Sequence, residues 1–148
     1  LLLDNLRDPG NLGTIMRTAE GADMSGVILS KESVDLFNPK VVRSTMGAIF
    51  RMPYIYVDFL VDTIGRIKNM GYKIYGTAME GSVVYDKPDY TKGAGFVIGN
   101  EANGVSDEVF AEVTDRIRIP MGGKLESLNA AVAAAIVMYE AARQRRNG

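Results

Sequence analysis

Residues that could do chemistry are concentrated in three glycine-bearing segments, Asp4–Gly13, Gly99–Ser106 and Pro120–Ser127. The first runs into a helical pattern in which Leu12, Ile15, Met16, Ala19 and Ala22 form one apolar stripe, with Arg17 roughly opposite its middle. Gly13, Thr14 and Gly21 are the neighbours of Arg17 on that face, so a long cation stands in a clearing with room for a partner. Asn11 is the expected cap of this helix, and the free amides at its start favour an anion such as a phosphate. In the second segment Glu101 follows an apolar strand run, where a carboxylate can orient a ligand or a facing arginine. Gly99 and Gly104 let that backbone approach a ligand closely. In the third, Ser127 is a natural N-cap for the last helix. Each feature also has a plain reading: a solvated arginine, an ordinary cap, a turn with a solvated glutamate.

What is missing narrows the chemistry further. The chain contains no Cys and no His, which excludes cysteine nucleophiles, Ser–His–Asp triads and ordinary zinc sites, and no metal is expected. Seventeen basic and 18 acidic residues leave a net charge of −1, against a strongly cationic nucleic-acid coat but not against a local basic site. No apolar run reaches membrane-spanning length, so no membrane partner is expected, and the lack of cysteine fits the cytoplasm.

The 148 residues, 47% hydrophobic and 24% charged, suit one globular domain spanning 1–148. Strands are expected at Leu1–Leu3, Val27–Leu29, Tyr54–Val57, Lys73–Gly76, Phe96–Ile98 and Arg116–Ile119. Helices are expected at Asn11–Ala22, Pro39–Ala48, Phe59–Met70, Asp107–Val113 and Leu128–Arg145. This alternation predicts an α/β fold, a mostly parallel sheet with helices on both faces. Met79–Gly95, with Gly81, Pro88 and Gly93, reads as a surface loop. All three polar segments then follow strands, at the edge where open α/β sheets bind ligands. Neither of the first two carries the glycine fingerprint of a dinucleotide site. The last helix is apolar on every side from Leu128 to Tyr139, which demands cover from several directions, within the fold or from a second subunit.

Taken together, the segments resemble the three motifs of the SpoU (TrmH-type) RNA ribose methyltransferases of the SPOUT superfamily. The matching residues are Asn11-Leu12-Gly13-Thr14-Ile15-Met16-Arg17-Thr18-Ala19, then Ile98-Gly99-Asn100-Glu101-Ala102-Asn103-Gly104, then Ile119-Pro120-Met121 and Glu126-Ser127-Leu128-Asn129-Ala130-Ala131-Val132-Ala133. The resemblance implies a deep C-terminal trefoil knot, a homodimer through the knot region, and S-adenosylmethionine (AdoMet) as methyl donor. It places Thr77, Gly99, Ile119, Met121 and Leu128 against the donor and gives Arg17, Asn11, Glu101, Ser127 and Asn129 catalytic or orienting roles. Many relatives carry a small RNA-binding domain ahead of this one, and this chain, opening on Leu1, is expected to start after it.

The activity so implied is methylation of a ribose 2′-hydroxyl in RNA, with ribosomal RNA favoured over transfer RNA. A silent relative that binds RNA or AdoMet without turnover is the alternative. Arg7, Arg17, Arg43 and Arg51 are the cations that a cleft for RNA would draw on.

Overall fold

The computed structural model describes residues 1–80 and 82–148. Its strands are β1 (Leu2–Leu3), β2 (Val27–Ser30), β3 (Tyr54–Val57), β4 (Lys73–Thr77), β5 (Val83–Val84), β6 (Ala94–Ile98) and β7 (Asp115–Arg118). The helices are α1 (Pro9–Gly21), α2 (Pro39–Ser44), α3 (Leu60–Asn69), α4 (Asp107–Phe110) and α5 (Ala130–Asn147), with a 3₁₀ turn at Ala48–Phe50. The strands form one sheet in the order β3-β2-β1-β6-β4-β7-β5, and every pairing is parallel.

Side chains alternate across this sheet, as the pleat requires. Leu1, Leu3, Tyr75, Phe96 and Ile98 point into a large core shared with α1, α2 and α5, among them Leu12, Ile15, Met16, Val41, Val137 and Met138. Leu2, Ile74 and Val97 point the other way, onto Leu60, Ile64, Val105 and Val109 of α3 and the α4 region. Helices therefore cover both faces, as the alternation of elements predicts.

From β1 the chain proceeds outward to β2 and β3, whereas from β6, the neighbour of β1, it leads across to β7 on the other side. The order of strands thus reverses between β1 and β6, the place beyond whose carboxyl ends open α/β sheets bind ligands. The polar segments after β1 and β6 lie side by side there.

Two sequence expectations need correction here. Met79–Gly95 is not wholly irregular: Val83 and Val84 pair with Ile117 and Arg118 as a two-residue edge strand, too short to leave a periodic signal. Gly81, within that stretch, lies outside the described residues. The stretch is also fastened to α5. Gln144 accepts the Tyr90 amide at 2.8 Å and donates to the Pro88 carbonyl at 3.1 Å, while the Tyr90 ring packs between Tyr75 and Phe96. The second correction concerns α2, expected to run to Ala48 but ending at Ser44, with the 3₁₀ turn at Ala48–Phe50 separate from it. α5, whose cover the sequence leaves to the fold or to a second subunit, is not covered all round within the chain. Ala131, Ala134, Val137, Met138 and Ala141 are buried, but Val132 and Tyr139 are each 47% exposed.

Candidate functional site

The loop after β1 is built by its neighbours. Asn5 adopts φ +58°, a left-handed backbone that asparagine tolerates better than most residues. Its amide donates to Ser30 Oγ at 2.8 Å, and its carbonyl accepts from Asn100 Nδ2 at 2.8 Å. Asp8 then caps α1, its Oδ1 accepting the Asn11 amide at 2.9 Å, with Pro9 in the first turn, where the missing N–H costs nothing. Asn11 is therefore not the cap but the third residue of the helix. This frees its side chain.

The loop after β6 is folded on itself and then clasped to the first. Asn100 and Gly104 exchange backbone hydrogen bonds of 3.0 and 2.8 Å, and Asn100 Oδ1 accepts the Ala102 and Asn103 amides. Gly99 is required by this fold: a Cβ there would lie 2.0 Å from Gly104 C and 2.1 Å from Val105 N. Glu101 faces the loop after β1, but among the described residues it meets no arginine side chain. Its Oε1 accepts the Asp8 amide at 2.8 Å, both oxygens stand 3.2 Å from the Arg7 amide, and Asn11 Nδ2 is 3.5 Å away. Asp4, 8% exposed, completes the clasp by accepting the Ser106 amide at 2.8 Å.

The third segment joins through one side chain. Asn129, not Ser127, is the N-cap of α5, its Oδ1 accepting from the Ala131 and Val132 amides. Its Nδ2 donates to Asn11 Oδ1 at 3.0 Å. A continuous relay thus runs from Glu101 through Asn11 to Asn129 and the first turn of α5. Ser127 and Leu128 remain in the loop, Ser127 exposed and Leu128 half-buried. Among the described residues, no internal hydrogen bond is made by the backbone of Ile119–Leu128, and Gly122 and Gly123 face open space.

The residues expected around a donor converge by topology. Thr77 ends β4, Gly99 follows β6 and Ile119 follows β7, and these three strands are adjacent. Thr77 Oγ1 donates to the Val97 carbonyl at 3.0 Å, tying β4 to β6 at that edge. Met121 and Leu128 bracket the open loop and are half-buried.

Arg17 is exposed on α1 and, among the described residues, makes no hydrogen bond or ion pair. The clearing around it is smaller than its small neighbours suggest. A Cβ on Gly13 would stand 2.2 Å from Ser44 Cβ, and one on Gly21 would stand 2.9 Å from the Tyr139 hydroxyl. α2 and α5 therefore fill the two glycine positions, leaving Arg17 on a ridge between them. Arg51 is engaged by Glu20 through two hydrogen bonds, a pair that holds the Glu20 carboxyl below its usual range, whereas Arg43 is exposed on α2.

Sequence reasoning missed Asn5, Asp8, Asn100, Ser30 and Ser33. Asp8 carried a usable local signal, an aspartate immediately before a proline at a helix start. Asn5, Ser30, Ser33 and the side-chain nitrogen of Asn100 act through contacts with distant parts of the chain.

Residues 1–139 match the SpoU rRNA Methylase family. The chain is 40% identical over 140 residues to the 23S rRNA (guanosine(2553)-2'-O)-methyltransferase RlmP of Bacillus subtilis, covering 94% of this chain and 56% of that protein. It is 42% identical over 145 residues to a Staphylococcus saprophyticus protein assigned to the TrmH family of tRNA/rRNA methyltransferases, covering 98% of this chain and 58% of the relative. It therefore spans little more than half the length of these relatives. Among solved structures, the SpoU methyltransferase AviRb of Streptomyces viridochromogenes in complex with AdoMet superposes with a TM-score of 0.91 at 34% identity, covering 99% of this chain and 60% of AviRb. With sequence and fold in agreement along nearly its whole length, the chain belongs to the SpoU rRNA methylase family.

Proposed function

We propose that this chain is the methyl-transferring domain of an AdoMet-dependent RNA 2′-O-ribose methyltransferase acting on ribosomal RNA in the cytoplasm. One observation carries the reading: the relay Glu101–Asn11–Asn129 draws three separate loops to one sheet edge and leaves Arg17 unengaged on the adjoining helix.

The residues present fit the donor. Beyond β4, β6 and β7 the backbone of Ile119–Leu128 offers unpaired donors and acceptors suited to the edge of an adenine, between the apolar side chains of Ile119, Met121 and Leu128. Bound there, AdoMet supplies an electrophilic methyl on a sulfonium. Transfer of that methyl would require the ribose hydroxyl to be held in line with the methyl–sulfur bond and to lose its proton, so the chain's residues must supply placement rather than a covalent intermediate.

Arg17 supplies charge rather than basicity. A guanidinium is a donor-only cation in proteins, so it holds an RNA phosphate and stabilises the developing alkoxide while the proton leaves to phosphate or water. Asn11 orients that helix face, Glu101 and Asn129 hold Asn11, and Ser127 lies exposed beside the loop, free to meet substrate. Ribosomal RNA is favoured because the Bacillus subtilis relative is named for a 23S rRNA position.

A second copy of the chain completes the picture. Val132 and Tyr139 on α5, with Met46 (67% exposed) and Phe50 (83% exposed) beyond α2, leave apolar surface on elements that flank α1. A homodimer through the C-terminal helix, with the knotted arrangement characteristic of the family, covers that surface. Tyr139→Asp is expected to shift the protein to monomer in light scattering, and an unchanged dimer would remove α5 from the interface.

The assignment is tested by transfer of tritiated methyl from AdoMet to ribosomal RNA, followed by mapping of the 2′-O-methyl site. Arg17→Ala should lower that transfer on the order of 10³-fold while leaving AdoMet affinity within about twofold. Full activity of the variant would sink the role given to Arg17, and no transfer by the unaltered protein to any RNA would sink the function.

A further inference from the structure

Two buried hydroxyls stand apart from all three motifs. Ser30, the last residue of β2, and Ser33 are 4% and 8% exposed, and their Oγ atoms lie 3.1 Å apart. Each accepts a backbone amide from the loop after β1, Ser30 from Asn5 at 2.8 Å and Ser33 from Leu6 at 3.1 Å. The Leu6 carbonyl in turn accepts from the Val34 amide at 2.8 Å, so the segment 30–34 is zipped to the turn at 5–6. Behind it, the Tyr56 hydroxyl donates to the Val34 carbonyl at 2.6 Å and accepts the Leu36 amide at 2.9 Å. The turn so held is the one in the left-handed conformation, and three residues later it becomes the Asp8 cap of α1. A non-glycine backbone in that region persists where its surroundings fix it.

We infer that Ser30 and Ser33 are positioning residues for methyl transfer: their hydroxyl pair, braced by Tyr56, sets the height and direction of the loop that delivers Asp8, Asn11 and Arg17 to the reacting atoms. This rests on the function proposed above. Glu101 and Asn100 grip the loop from the β6 side, and the serines grip it from the β2 side. With one grip removed, α1 can tilt. Misplacement of about an ångström in a positioned group lowers rate far more than it lowers binding. The donor loop at Ile119–Leu128 lies on the opposite flank of β6 from β2 and is linked to α1 just beyond its end, through Asn129 and Asn11, so its affinity should change far less than the rate.

The test is the double substitution Ser30→Ala, Ser33→Ala in the full chain, with kcat, KM for RNA, AdoMet Kd by calorimetry and amide hydrogen exchange measured together. Expected are a fall in kcat of roughly tenfold to a hundredfold, KM and Kd within about twofold, and faster exchange at Asn5 and Leu6 with β6 still protected. Unchanged kcat would overturn the inference. So would a parallel loss of kcat, donor affinity and protection throughout the sheet, which marks a purely structural role. If the double variant does not fold, Tyr56→Phe decides: about a threefold lower kcat with Kd intact supports the brace, and no change refutes it. If the unaltered protein methylates no RNA, the proposed function fails on its own, and retained protection of Asn5 and Leu6 in the double variant separately refutes the positioning.

Discussion

The two flanks of the site, the paired loops after β1 and β6 and the open loop after β7, are built on opposite plans. Between the loops after β1 and β6, side chains of each loop satisfy backbone groups of the other: Glu101 accepts the Arg7 and Asp8 amides, Asn100 donates to the Asn5 carbonyl and Asp4 accepts the Ser106 amide. The loop from Ile119 to Leu128 makes no hydrogen bond internally among the described residues, and it touches the other flank only after it ends, through Asn129 and Asn11. A backbone already paired is rigid before anything binds. One left unpaired and solvated is a reading head whose partners arrive with the ligand. Under the proposed function this divides the labour, the first flank holding the reacting geometry and the second recognising the donor.

The largest disturbance of the paired flank comes from Gly99→Val. A side chain there runs into the backbone of Gly104 and Val105, which cannot swing aside as a flexible side chain can. We expect a loss of about 3 kcal/mol, seen as a melting temperature lower by roughly 6–12 °C. A variant as stable as the parent would mean that the clasp is not rigid at all.

Glu101→Gln is a finer cut. It keeps the shape but replaces a charge that accepts the Arg7 and Asp8 amides and faces Asn11. Charge-assisted bonds are about twice as strong as neutral ones, so kcat should fall roughly tenfold, equivalent to about 1.4 kcal/mol, with donor Kd little changed. If donor affinity falls instead, the two flanks are not separate in function.

Leu128→Ala addresses the open flank. Leu128 is half-buried beside an unpaired loop, so its truncation should cost about 1 kcal/mol of donor binding, near fivefold in Kd, with the melting temperature unmoved. A drop in stability without a drop in affinity would show that Leu128 serves the core rather than the pocket.

The legibility of these two flanks in sequence differs for physical reasons. Elements with strong period were readable to within about two residues at most ends: Leu60–Asn69 against an expected Phe59–Met70, and Tyr54–Val57 as expected. The caps were misread because two competent side chains stand near each helix start, and only three-dimensional reach decides between them. Asp8 outcompetes Asn11 since Pro9 begins the helix, and Asn129 outcompetes Ser127 since the helix begins two residues later than its apolar run suggests. Ser30 and Ser33 were invisible. Their partners lie 25 and 27 residues away, and no local pattern distinguishes a buried serine that serves a loop from one that merely ends a strand.

The bond between Asn11 and Asn129 joins positions 118 residues apart, and this has a temporal consequence. Pairing over such a span closes late, because the entropy of a long loop must be overcome before the contact can form. While the polypeptide is still being synthesised, β1 can find β2 early, but the relay through Asn11 has no terminus until α5 emerges. The reacting geometry is therefore assembled last, so a nascent or prematurely terminated chain would present Arg17 to RNA without the means to act on it.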